Sequence, residues 1–274
     1  MKINFNLSVA FLLFFGTTCF AQFVGGGGTA PVKNDKESAG PWKNRGYIYG
    51  GPCIPMGTWK KAPVASATIS DAYTNNTGFG AKTGFYLEMG GMYFLKKLKL
   101  PESMAFAFNF TYLNFSMNKF DWSSLGPNFE KANSKNFMFL SDKFGLQYSY
   151  QIVDKFFVDA YFNICPTMAF LGRVKTTGDV AEYHYSVVAN WSGASPSLNS
   201  STYATGFAFA FRKSIGFNIR YMPFTFGLDY LFGGIKQDVY STILDNRNHS
   251  NDQEIITPTK FYANTLQIKL GFTF

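Results

Sequence analysis

Charge is scarce in this chain. Asp, Glu, Lys and Arg make up 15% of its 274 residues, against about 25% in ordinary soluble domains. Acids are the scarcer sign, 17 against 25 basic residues, for a net charge of +8. Histidine occurs twice, at His184 and His249, and cysteine three times. Lone histidines and cysteines give no zinc-type spacing, so no metal site is predicted. No cofactor is predicted either. The GGGG run at 25–28 has no Lys-Ser/Thr pair or helix after it, which excludes a phosphate loop. Past the N-terminus there is no run of about 18 apolar residues, so no membrane helix is expected.

Aromatic residues are plentiful. They reach 19%, with 32 Phe and 16 Tyr, yet mean hydropathy stays near zero at −0.05. Low charge, high aromaticity and middling hydropathy fit strands that alternate apolar and polar residues. An aromatic-rich soluble β-sandwich has the same composition, so the pattern along the chain has to decide.

The first 21 residues carry Lys2, an apolar core over 7–15 and small residues before Ala21. This reads as a secretory signal cut between Ala21 and Gln22. A lipoprotein cut before Cys19 fits less well, because Gly16 and Thr18 stand where that signal wants Leu and a small residue. Residues 22–45, glycine-rich and mixed in charge, predict a flexible basic tail. Basic residues cluster there and at Lys60, Lys61, Lys96, Lys97 and Lys99. This predicts positive charge at one end of the molecule. It is not a stripe interleaved with aromatics, so nucleic acid is excluded as a partner.

From residue 79 onward the alternation is plain. Strands are predicted over 79–95, 104–115, 137–153, 156–171, 205–221, 224–235 and 260–274. In the last, Tyr262, Leu266, Ile268, Leu270, Phe272 and Phe274 share one face, with Gln267, Lys269, Gly271 and Thr273 opposite. Short connections (96–103, 154–155, 222–223) alternate with long polar ones (118–136, 172–204, 236–259). An even strand count asks for one more strand before residue 79, within 46–73, where Pro52 and Pro55 argue against a central strand. That gives eight strands, with ten as the alternative.

The dyad repeat, the export signal and the final Phe272 and Phe274 resemble the small outer-membrane β-barrels of the OmpA/OmpX-like group. The resemblance implies an all-β, antiparallel, up-and-down transmembrane barrel over 46–274. It places short turns in the periplasm and long loops outside. It implies outer-membrane lipid and lipopolysaccharide as surroundings.

On the polar faces stand Glu88, Lys143, Asp159, Arg212, Arg220, Asp229 and Lys269. Eight strands leave an interior filled by side chains, so these seven are expected to form a structural ion-pair network; a polar conduit or ligand pocket is the alternative. Asp142 and Lys213 fall in outward register and are placed at the outer interface; a local β-bulge is the alternative. Cys53 and Cys165 are expected to be unpaired thiols, with a disulfide as the alternative. Glu182, His184 and Ser186 supply the residue types of a lipid-modifying enzyme, but proximity in sequence does not make a triad; no catalytic residue is assigned. The long connections hold Trp122, Phe129, Tyr183, Tyr185, Trp191 and Tyr240, which suit either contact surfaces or packing above the bilayer. The sequence therefore points to a non-enzymatic envelope component. It acts through its loops or basic tail on a partner protein, as in a secretion or uptake assembly. A small channel and a lipid enzyme are the alternatives.

Overall fold

In the computed structural model, residues 41–62, 78–120, 136–171, 174–177, 181–188, 206–245 and 253–274 are described, with side chains except in 171–207 and 237–257. The predicted signal, most of the predicted tail, Trp122, Phe129, Trp191 and His249 lie outside them. Trp42–Phe274 forms one compact unit.

Twelve strands are described. They are β1 (Arg45–Pro55), β2 (Ala81–Phe94), β3 (Met104–Phe120), β4 (Asn136–Val153), β5 (Phe156–Leu171), β6 (Val174–Thr177), β7 (Ala181–Val188), β8 (Gly206–Tyr221), β9 (Phe224–Phe232), β10 (Gly234–Asp245), β11 (Gln253–Tyr262) and β12 (Thr265–Thr273). Eight close a barrel in the order β1-β12-β9-β8-β5-β4-β3-β2, all antiparallel between neighbours. The strand the parity demanded is β1. It keeps its two prolines because its ladder to β12 lapses at Gly51 and Pro52 and resumes at Cys53. Pro55 stands at the strand's end, where a missing N–H matters little.

The short connections gather at one end. Gly46 and Phe274 exchange backbone hydrogen bonds of 2.8 and 2.9 Å. Met222 donates to the Lys155 carbonyl, Thr273 to that of Pro223 and Gln151 to that of Ser103. At the other end the wall runs on. Strands β3 and β4 are 17 and 18 residues long, while about 9–11 suffice to cross a bilayer.

The connections 172–204 and 236–259, expected to be polar loops, carry strands instead. β6, β7, β10 and β11 form a second sheet in the order β11-β10-β7-β6. Their Tyr, Val, Ile and Thr content favours strands, but they show no sustained apolar row, so alternation does not reveal them. The β10/β11 hairpin continues the β9/β12 hairpin in unbroken register, from Thr265↔Leu231 to Gly234↔Tyr262. The ribbon breaks at Gly233, whose φ of 135° suits glycine.

One charge expectation is corrected. Lys60 and Lys61 follow β1 and so lie at the loop end, opposite Arg45 and the turn at Lys96–Lys99. Basic residues therefore mark both ends.

Candidate functional site

Alternation sends one row of each strand outward and one into the lumen. The outward rows stay exposed and apolar: Phe108, Leu146, Ile215, Phe217, Leu270 and Phe272 are each 40–55% accessible. The inward rows are polar and dry. Among the described residues, the buried charged side chains are Glu88, Lys143, Asp159, Arg212, Arg220, Asp229 and Lys269. Such a distribution is stable only where the exterior meets lipid.

The lumen is layered. In the middle, Lys143 Nζ lies 2.5 Å from Glu88 Oε2 and 2.6 Å from Asp229 Oδ2. Lys269 Nζ lies 2.8 Å from Glu88 Oε1 and 3.5 Å from Asp229 Oδ2. Two cations and two carboxylates cancel, which offsets much of the desolvation of each. Asn114 donates to Glu88 at 2.8 Å and to Gln267 Oε1 at 3.2 Å, and Lys143 also donates to Gln267 Oε1. Lys269 sits over the rings of Tyr161 and Tyr49, at 4.8 and 5.4 Å from their centroids, a cation–π arrangement strengthened by burial.

Toward the short-turn end, Arg220 grips Asp159 through Nε at 2.5 Å and Nη2 at 2.8 Å, a bidentate pair. Ser149 donates to the same carboxylate at 2.6 Å. The Arg220 guanidinium also covers Phe157. Tyr47 and Tyr49 stack at 4.5 Å beside the middle layer, and Trp42 packs on Phe94 and Phe157.

Toward the loop end, Arg212 has no described carboxylate partner. Its Nη2 donates to the carbonyls of Leu231 and Ala263, and its guanidinium lies over Phe139. It thus ties the β8 wall to the break in the long ribbon. Above it Trp59, delivered by the 3-10 turn Gly57–Trp59 after β1, is fully buried. Its ring meets Phe79, Phe120, Phe137, Phe139 and Phe261 at 4.8–5.8 Å. The charged layers thus lie between two aromatic ends.

Several of these partners are hard to read in sequence. Asn114 turns inward because β3 carries an extra residue near Tyr112 and Leu113, where its register shifts against both neighbours. The signal was there: Tyr112 and Leu113 are adjacent large residues where strict alternation allows one. Inward tyrosines lie opposite glycines, as Tyr47↔Gly90, Tyr49↔Gly271, Tyr86↔Gly51 and Tyr161↔Gly216. An added Cβ on Gly216 would fall on the Tyr161 hydroxyl and the Leu228 carbonyl oxygen. Gly216→Ala should therefore destabilise the barrel by about 1–3 kcal/mol, read as a lower urea midpoint for the barrel refolded in detergent.

Asp142 and Lys213 face outward, between inward Ser141 and Lys143 and between inward Arg212 and Ser214. Both strands alternate unbroken there, so neither position owes its direction to a bulge. Cys53 and Cys165 are buried free thiols. Glu182, His184 and Ser186 lie on alternate positions of β7, opposite Leu244, Thr242 and Tyr240 of β10. They form a row along a strand, spaced about 7 Å apart.

No protein-family model matches the chain, and no curated protein matches it. Among solved structures, the outer membrane protein OprG from Pseudomonas aeruginosa is similar at 10% identity and a TM-score of 0.36, over 84% of this chain and 94% of that one. A deletion mutant of TodX, a monoaromatic hydrocarbon channel, is similar at 10% identity and a TM-score of 0.34, over 83% of this chain and 56% of that one. At such scores neither bears on what this chain does. The wall itself is decisive: eight antiparallel strands close on a buried charged interior beneath an exposed aromatic coat. The described chain is a small outer-membrane β-barrel.

Proposed function

We propose that the protein is a non-conducting, non-enzymatic barrel that anchors an interaction surface in the outer membrane. The surface is the loop-end sheet β11-β10-β7-β6, held outside the cell, with the basic N-terminal segment available to a periplasmic partner. The partner is an envelope protein, as in a secretion or uptake assembly. One observation carries this reading. The lumen is filled from end to end, by the Trp59 cluster, the two ion-paired layers and the Trp42–Tyr47–Tyr49 layer. A hydrated ion has no described path through it.

Planar-bilayer recording of the purified protein tests the reading. No steady unit steps are expected in molar salt. Reproducible steps would overturn it in favour of the second reading, a channel for small or apolar solutes. The observation on that side is an apolar hollow of about 580 Å³ in the outer wall, bordered by Phe106, Leu146, Ala160, Phe217 and Tyr230. Tyr161 and Gly216 also line it.

A further inference from the structure

Two outward charges of opposite sign share one side of the barrel. Asp142 on β4 is half-buried in the wall, and Lys213 on β8 is exposed. Among the described residues, no ion pair or hydrogen bond reaches either side chain. They stand two strands apart, about 12 Å by strand spacing and rise, with β5 between them. Snorkelling accounts for a lysine near the interface. It does not account for Asp142, whose stem is a single methylene. The wall also gives way at Asp142. The β4–β5 pairing lapses there opposite Pro166, which has no N–H, and the β3 bulge lies on the other side.

The register fixes the heights of the two charges. Stepped from strand to strand, it leaves β1 at Arg45, crosses each wall strand in turn and returns to β1 at Pro55, ten residues nearer the loop end. Eight strands share that climb, so two strands climb by about two and a half residues. Lys213 is reached from Phe144 in two such steps, through Ile164. Asp142 stands two residues above Phe144 on β4 itself. The two charges are therefore level to within about one residue's rise.

A two-fold axis along the membrane normal leaves every residue at its own height, so only level residues can be exchanged across it. Between the charges lie Phe144 and Ile164, apolar and 41% and 40% exposed. A second copy turned about an axis through this face presents the partner's Lys213 to Asp142 and the partner's Asp142 to Lys213. Both charges then gain a counter-ion at once. Anionic lipid headgroups would suit Lys213 and repel Asp142, so they cannot satisfy both. We infer that the protein pairs with a second copy of itself in the membrane, through the β4–β5–β8 wall, with two exchanged Asp142–Lys213 ion pairs at the loop-side edge of the contact. The pairing goes beyond the anchoring role and holds whether or not the lumen is closed to ions.

The test uses the full chain reconstituted in lipid vesicles at low density and treated with a short bismaleimide. Cys53 and Cys165 are buried and stay silent. Copies carrying Ile164→Cys should crosslink to one another. Copies carrying Ile48→Cys, on β1 at the opposite side of the barrel, should crosslink only at the level of random collision. Adding Asp142→Lys to Ile164→Cys sets like charges against each other and should weaken pairing at least about tenfold. Adding Lys213→Asp instead should do the same. Mixed in one vesicle, these two variants should pair with each other as well as the parent pairs with itself, because each supplies the sign the other lacks. Charges that act only within one copy give no such rescue. The heat-dependent gel shift reads the folding of every variant. Where a reversed charge prevents folding, Asp142→Asn and Lys213→Gln replace it, each weakening pairing about fivefold. Ile164→Cys crosslinking no better than Ile48→Cys, unchanged pairing in the charge variants, or a mixture no better than its components would each overturn the inference.

Discussion

Lys143→Met should lower the stability of the folded barrel by about 3–5 kcal/mol, the usual result of removing one partner from a buried ion pair. Lys143 bridges Glu88 and Asp229 at 2.5 and 2.6 Å and donates to Gln267 as well. Without it, two buried carboxylates share Lys269, whose contact with Asp229 is the longer one. The expected consequence is specific. Adding Asp229→Asn to Lys143→Met should recover part of the loss, because Glu88 and Lys269 then remain as a balanced pair. Lys213→Met, on the exposed face of β8, should change stability by less than about 1 kcal/mol. Urea unfolding of the refolded proteins in detergent, followed by the heat-dependent gel shift, measures all three. A Lys143→Met barrel as stable as wild type would mean that the charged layer is hydrated and does not hold the wall.

The second large effect is expected at Trp59. Trp59→Ala removes a fully buried indole ringed by five phenylalanines and should destabilise by about 3–5 kcal/mol. It also empties the loop-end mouth down to Arg212. The central charges would still block the lumen, so the variant should remain closed to ions even as it loses stability. The same unfolding assay, paired with bilayer recording, separates the two outcomes. Conductance appearing in Trp59→Ala would mean that the aromatic cluster alone seals the barrel.

Much of this architecture is legible in the sequence because a lipid-facing wall keeps period two over most of its length. A single misplaced charge at mid-bilayer costs about 2–4 kcal/mol, so Phe224, Phe226, Leu228 and Tyr230 keep step with Thr225, Gly227 and Asp229. The side-chain directions of 260–274 follow from alternation alone, from Tyr262 outward to Thr273 inward. What alternation cannot convey is where it is broken. The extra residue in β3 turned Asn114 toward Glu88, and only adjacent Tyr112 and Leu113 betray it. Trp59 carries no such signal, because a residue that plugs a lumen from a turn has no period to reveal it. Strands β7 and β10 rise beyond the lipid, where no oily row is required, and so their sequences read as loop. Sequence-based strand placement before residue 79 was ambiguous for a related reason: Pro52 is tolerated only because the β1–β12 ladder lapses beside it.

The most direct measurement is the accessibility of spin labels placed one at a time on outward positions, Phe108, Leu146, Phe217 and Leu270, in lipid vesicles. Labels at all four should collide freely with dissolved oxygen and hardly at all with a water-soluble nickel chelate, and labels at Lys119 and Lys155 should show the reverse. Nickel contact exceeding oxygen contact at the four apolar positions would place them in water and contradict the account.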